Sequence, residues 1–364
     1  MKILKYLSNL PGWRTSRKII VLESDDWGSL RAPSDDGFQM MRKQNLPLGN
    51  REGIRFNQFD DLADQEDLEF LFETLVNFKD REGNSAKMTA MSLVANPDFK
   101  KIKGGNFKKY YYQSLPESLR ENNKSSAWTL WKEGFNKGVF IPEFHGREHL
   151  NVASWMRDLK DESSLARKGF DYNFWGFRQK SFAVSYQAAF DLEYREDLEV
   201  QKEIIKDGLD LFESLHGRKA NFFVPPNGSF NNSLESITAQ KDISCICTSK
   251  IQNEPQGSGK TKRHFRYLGK RNKFDQVYLT RNAFFEPSNP SKSDWVDSCL
   301  AEISSAFKFK KPATISSHRV NYIGVRNKKN RDQGLQELKR LLNEISKKWP
   351  EVEFMSSSEL GKLL

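Results

Sequence analysis

The chain has 364 residues, 37% of them hydrophobic and 12% aromatic, which is enough apolar material for a sizeable core and argues against general disorder. Lys and Arg outnumber Asp and Glu by 58 to 48; the formal charge of +10 favours an anionic partner without fixing a binding face. The three cysteines, Cys245, Cys247 and Cys299, exclude a disulfide framework and offer no CxxC zinc pair, so they read as inert reduced thiols.

The first residues, MKILKYLSNLPGW, begin like a secretion signal, but Lys5, Asn9 and Pro11 break the apolar run and no small-residue cleavage site follows. No stretch approaches the roughly 20 apolar residues that span a bilayer. The expected location is cytoplasmic, with transient membrane-surface contact the most that this segment suggests. KIIVLES (18–24) is a short apolar, β-branched run of the kind that forms a buried parallel strand, and it leads into Asp25 and Asp26. QEDLEFLFETLVNF (65–78) repeats Leu68, Leu71, Phe72, Leu75 and Val76 at helical spacing. KMTAMSLVA (87–95) predicts a second strand, AWTLWKEGFNKG (127–138) a helix closed by Gly138, and VFIPEF a strand delivering His145.

Further on, 197–217 predicts a long helix stopped at Gly217, followed by the strand KANFFVPP (219–226). Strands ISCICTS and DQVYLTR, the helix DWVDSCLAEISSAF, and the strand PATISS running to His318 follow, before a last helix (335–349) and the strand VEFMSS. This alternation implies βαβ units, a mostly parallel sheet and an α/β fold with a single domain over 1–364. Two stretches read as insertions: 98–126, rich in Lys, Gly and Tyr, and 250–273, a basic loop. The candidate polar residues fall at strand C-terminal ends, where barrels of this kind place their chemistry.

Two of the five histidines, His145 and His149, lie four apart in EFHGREHLN. On a helix that spacing puts both imidazoles on one face, either as a metal pair or as part of an ordinary solvated turn. HGREH has Gly146 where the zinc-protease pattern HExxH needs its Glu, so the protease reading fails. ESDDWGS supplies adjacent carboxylates that are costly after a buried strand unless paired or metal-bound; the alternative is an exposed acidic turn. FFVPPNGSF predicts a tight turn that either aims a backbone N–H into a cavity or is structural only. His318 ends a strand, while His216 and His264 read as structural or solvated. GSGKT (257–261) lacks the leading glycine of a P-loop, with Glu254 standing there, and the basic run after it carries no nucleic-acid recognition pattern, so no specific nucleic-acid partner is expected.

In order, ESDDWGS, HGREH, FVPPNGSF, SDWVDSCLAEI and ISSHR resemble the five motifs of the polysaccharide deacetylases, carbohydrate esterase family four. The ending LQELKRLLNEISKKWPEVEFMSSSEL is similar to the family's last helix, strand and turn, so the likeness runs from about Lys18 through the chain outside the insertions. The resemblance implies a distorted (β/α)7-type barrel and a divalent metal, zinc foremost, on Asp26, His145 and His149. It assigns Asp25 as base and His318 as the acid for the leaving amine, with Asp294 orienting His318. Asn227 would help hold the oxyanion through its backbone N–H, Trp295 would pack near His318, and Trp27 falls among the substrate-side residues. The substrate it implies is an acetylated sugar or oligosaccharide. In the absence of an export signal that becomes an intracellular lipid- or nucleotide-linked sugar. This chain departs from the family at Trp27, which separates the Asp pair from Gly28, and at Val224, where the family has the arginine that steadies the base. A replacement arginine, Arg281 or Arg178, is expected; the alternative is a carbohydrate-binding relative without turnover.

Overall fold

The computed structural model describes residues 8–31, 35–43, 51–176 and 184–364. Nine strands carry the framework: β1 (Lys18–Trp27), β2 (Met88–Leu93), β3 (Phe140–Gly146), β4 (Phe222–Phe223), β5 (Cys245–Cys247), β6 (Val277–Leu279), β7 (Ala283–Phe284), β8 (Ala313–His318) and β9 (Val352–Met355). They pair in the order β7-β8-β1-β2-β3-β4-β5-β6, all parallel. β9 adds to the first half of β1, and a short Lys270–Arg271 strand lies antiparallel on β6. The outermost strands of the parallel path, β6 and β7, are consecutive in the chain, so the sheet curls back towards itself as a half-barrel. The mostly parallel α/β sheet expected from the alternation is present, and the half-barrel agrees with the distorted (β/α) barrel that the resemblance implies, with eight strands in its parallel path. No described helix is long and apolar enough to cross a membrane.

Side-chain alternation along each strand sorts the core into layers. On β1, Ile20 and Leu22 point outward into a cluster with the helices Gln65–Val76, Ser125–Asn136, Trp295–Lys308 and Lys328–Lys348. Ile19 and Val21 point the other way, into a smaller cluster with Met91, Phe222, Cys245, Cys247 and Leu279 that fills the barrel interior. The same period carries Glu23 and Asp25 inward at the end of β1, His145 inward on β3 and His318 inward on β8. A third cluster, with Phe144, Trp155, Phe212 and Phe223, packs the helices Val152–Asp158 and Asp197–His216 on the far side. All three cysteines are buried and free, as their sequence setting implies.

Both expected insertions are structured. Residues 98–126 form the helix Phe99–Gly104, a strand Tyr112–Ser114 paired with Ala95–Pro97, and the helix Leu115–Glu121. The basic 250–273 segment is not a loop but an antiparallel ribbon, Ile251–Gly257 against Lys260–Phe265. GSGKT turns that ribbon: Ser258 and Gly259 both have positive φ, 52° and 72°, as a tight hairpin turn requires.

The segment after His318 is locked from behind by Gly334 in the Lys328–Lys348 helix. A Cβ there would lie 1.7 Å from the Asn321 carbonyl oxygen. Gly334→Ala is expected to destabilise the protein by about 3 kcal/mol or more, well beyond the usual range of a surface change, measured as a fall in Tm.

Candidate functional site

β1 delivers its acids through an irregularity. The β1–β2 register shifts between Ser24 and Trp27, and Asp26 takes φ 76°. A left-handed aspartate costs conformational energy that surrounding contacts must offset. The buried Arg31 guanidinium does so, gripping Asp26 Oδ2 at 2.6 Å and leaving Oδ1 facing the histidines. Burial alone would raise the Asp26 carboxyl, but Arg31 and then His149 outweigh it and hold the group well below the ordinary carboxylate range.

His145 and His149 are not on a helix. His145 ends β3, Gly146 turns the chain at φ 141°, and His149 follows from the turn, so a strand and a bend bring the rings to 5.2 Å between centroids. The intervening Arg147 and Glu148 pair at 2.7 Å, and Tyr110 from the 98–126 segment donates to Glu148 at 3.2 Å, bracing the turn. His145 Nδ1 lies 2.6 Å from the Val224 carbonyl, which can only accept, so that nitrogen carries the proton. Nε2, buried and with no hydrogen-bond partner, is left as a lone-pair donor, the arrangement found when a second contact orients a metal-binding histidine. His149 Nε2 stands 3.1 Å and His145 Nε2 3.7 Å from Asp26 Oδ1. Burial lowers the His149 pKa to about 4 against the opposing pull of Asp26, so its ring is neutral at pH 7.

Asp25 and His318 are directly opposed in the β1–β8 ladder. Arg281 is fixed to Asp25 by two hydrogen bonds of 2.6 Å each, with a third to Glu23 Oε2 at 2.5 Å. Burial pushes the Asp25 carboxyl up, but Arg281, with His145 and His318, overrides it and keeps the group below its ordinary range. The arginine thus comes from the segment between β6 and β7, whereas Val224 contributes its backbone carbonyl; Arg178 lies outside the described residues. His318 Nδ1 meets Glu286 Oε1 at 2.5 Å, and Nε2 lies 4.0 Å from Asp25 Oδ2. Burial would lower the His318 pKa, but Glu286 first, then Asp26 and Asp25, raise it to about 9.

Two sequence-derived roles are corrected. Asp294 does not orient His318: it N-caps the Trp295–Lys308 helix, accepting from the Asp297 amide at 2.8 Å, and pairs with Arg340 at 2.6 Å. Glu286 occupies that role instead. Trp27 is not a substrate-side residue. The bulge turns it into the core, where it donates to Ser24 Oγ at 2.9 Å and packs edge-on against Phe140 at 4.8 Å. Trp295 and His318 do line one cavity together. Asn227, at φ 53° in the Pro226–Gly228 turn, sits at the wall of a second cavity, at the barrel mouth.

That cavity, about 580 Å³, is lined by Asp25, Asp26, His145, His149, His318 and Arg281 among others. Asp26, His145 and His149 each present a ligand atom within 4.8 Å of the other two, and all three residues are buried. An orphaned imidazole nitrogen, a neutral second imidazole and an ionised carboxylate suit a divalent cation. Glu286 and Arg31 escaped the sequence reading. Glu286 was within reach of it, because alternation from Phe284 points both residues to the same side. Arg31 lies beyond a turn whose geometry the letters do not specify.

No family model matches the chain, and no curated protein matches its sequence. Solved structures similar to it include a probable polysaccharide deacetylase from Pseudomonas aeruginosa PAO1, at TM-score 0.46 and 9% identity, covering 95% of this chain and 91% of that one. The alpha-amylase AmyC from Thermotoga maritima gives TM-score 0.46 and 9% identity over 97% of this chain and 75% of its own. A CE4 family pseudoenzyme from Bacillus anthracis gives TM-score 0.39 and 10% identity over 95% and 66%.

The His318–Glu286 pair has a direct readout. In metal-free protein, an NMR titration of the His318 ring is expected to show its transition near pH 9. Removing the Glu286 charge with Glu286→Gln is expected to move it down by about one unit or more.

Proposed function

We propose that this protein is a metal-dependent carbohydrate deacetylase, hydrolysing an acetyl group, N-acetyl foremost, from a sugar. What supports the reading is one convergence: the Asp26, His145 and His149 ligand atoms share a cavity with Asp25 and His318, groups suited to opposite proton-transfer roles. A divalent cation on the three ligands, zinc foremost, would supply a Lewis acid for the acetyl carbonyl and ease ionisation of water.

The remaining steps belong to the chain's own groups. Asp25, held ionised and aimed by Arg281, accepts a proton from the attacking water as its oxygen bonds to the acetyl carbon. His318, kept protonated at neutral pH by Glu286, gives its proton to the amide nitrogen as the C–N bond breaks, because an amine leaves far more readily than its anion. The products are acetate and the free amino sugar. Asn227, in the turn at the cavity wall, is assigned the backbone N–H for the developing oxyanion. The non-catalytic alternative rested on Val224; Arg281, bidentate on Asp25, counts against it. The finer substrate is a lipid- or nucleotide-linked acetamido sugar inside the cell, a class whose phosphate suits the excess of basic residues.

Elemental analysis of the purified protein is expected to find near-stoichiometric divalent metal, lost in the His145→Ala, His149→Ala double variant. Negligible metal in both would remove the proposal's basis. Given an acetylated amino sugar, the wild type is expected to release acetate. Asp25→Asn should cut kcat by about 10²–10⁴ while retaining the metal. Arg281→Ala should also lower kcat, and unchanged turnover in that variant would discard Arg281 as the positioning residue. Because His318 works protonated, activity is expected to fall as pH rises through its pKa, and Glu286→Gln should bring that alkaline limb to lower pH.

A further inference from the structure

The ribbon Ile251–Gly257/Lys260–Phe265 stands apart from the barrel sheet as its own two-stranded unit. One face is anchored to the protein: Gln252, Glu254 and Arg266 are buried, and Arg266 Nε donates to Gln252 Oε1 at 2.9 Å. The other face is open. Its register pairs Ile251 with Phe265 and Asn253 with Arg263, and Phe265 is 70% and Ile251 52% exposed. Phe265 is the most exposed large apolar side chain among the described residues. Two such groups directly opposed at the end of the ribbon away from its turn form an exposed apolar patch rather than scattered surface residues.

A basic stretch runs beside that patch. Residues 260–273, KTKRHFRYLGKRNK, contain no acid. Arg263, opposite Asn253, is exposed on the open face with Ile251 and Phe265, whereas Lys262, opposite Glu254, and Lys260 alternate to the other side of the ribbon. The patch also adjoins the cavity that holds Asp25 and Asp26. Ser249 and Lys250, immediately before Ile251, line that cavity, and the Arg266 amide bonds the Lys250 carbonyl at 2.9 Å. Lys250 Nζ in turn holds Ser8 Oγ and Asn9 Oδ1 at 2.8 Å each. Exposed Tyr267 lines an adjoining crevice together with Ser8, Asn9 and Lys250. The apolar patch, Arg263 and the cavity rim therefore adjoin one another.

We infer that this face docks the protein on an anionic lipid surface, with Ile251 and Phe265 in the interfacial layer, basic side chains on the lipid phosphates, and the cavity mouth turned to the bilayer. An RNA or DNA partner would use the basic residues but leaves the Ile251–Phe265 pair unexplained, since only Phe265 is able to stack on bases. A lipid interface uses both. The substrate class follows: an acetylated sugar whose phosphate-linked lipid stays in the membrane while the sugar enters the cavity. That last step rests on the deacetylase reading; the docking does not.

The test is co-sedimentation of the full chain with vesicles of phosphatidylcholine alone and of phosphatidylcholine with phosphatidylglycerol, at low and high salt. The wild type is expected to bind the anionic vesicles and to weaken with salt. The Arg263→Glu variant should lose about fivefold or more, the share of roughly one basic residue at the lipid surface. The Ile251→Ser, Phe265→Ser variant should lose more than about tenfold. Both variants are expected to keep the wild-type Tm and metal content. No binding to anionic vesicles, or variants that bind as the wild type does, would overturn the docking. So would a DNA oligonucleotide bound at high salt and lost in the basic variant, or a dimer in light scattering that the Ile251, Phe265 variant dissolves. Vesicle binding without acetate release supports the docking and overturns the deacetylase.

Discussion

Arg281 sits between Glu23 and Asp25, and the mouth of the barrel depends on that contact. Strand β1 drives two inward carboxylates and a third at Asp26 into a region where all three are nearly water-free. Such groups are tolerable only with opposite charge at hydrogen-bonding distance; removing the partner of a buried pair costs about 3–5 kcal/mol. Arg281 satisfies Glu23 and Asp25 at once, and Ser357 completes Glu23 with a hydrogen bond of 2.7 Å. The pairing also aims Asp25. With both carboxylate oxygens engaged by the planar guanidinium, its plane is set before any substrate arrives.

Asp26 is treated differently, and the difference separates their roles. Only its Oδ2 is held, by Arg31, which lies 4.0 Å from Asp60; Arg319 in turn binds Asp60 at 2.8 Å. This buried series of alternating charge ties the turn after β1 to the segment after β8, and so ties the ligand carboxylate to the backbone that carries His318. Oδ1 remains directed at two imidazole nitrogens. One aspartate is saturated by an arginine and the next is half-open, although they are neighbours in sequence.

Much of this was legible in the letters. The apolar run before Asp25 and Asp26, the strand before His145 and the strand before His318 place chemistry at strand ends, as the curled sheet does. The histidine pair was read through helical spacing, and the rings converge instead through Gly146 and a bend, which spacing alone does not distinguish. Asp294 was assigned by motif order, whereas Asp297 three residues later marks Asp294 as a helix N-cap. The carboxylate that does reach His318, Glu286, follows β7 on its inward side. Trp27 misled because a strand bulge reverses which side a residue faces. Arg281 was foreseeable as a missing charge but not as a position, since nothing local links it to a strand more than two hundred residues away.

The proposed chemistry requires a cation at one place. Anomalous diffraction from crystals of the protein, collected above and below the zinc edge, tests it most directly. The expected result is an anomalous peak within bonding distance of Asp26 Oδ1 and of one nitrogen each of His145 and His149. Zinc bound elsewhere, or a cavity without an anomalous peak in protein grown with excess zinc, would contradict it.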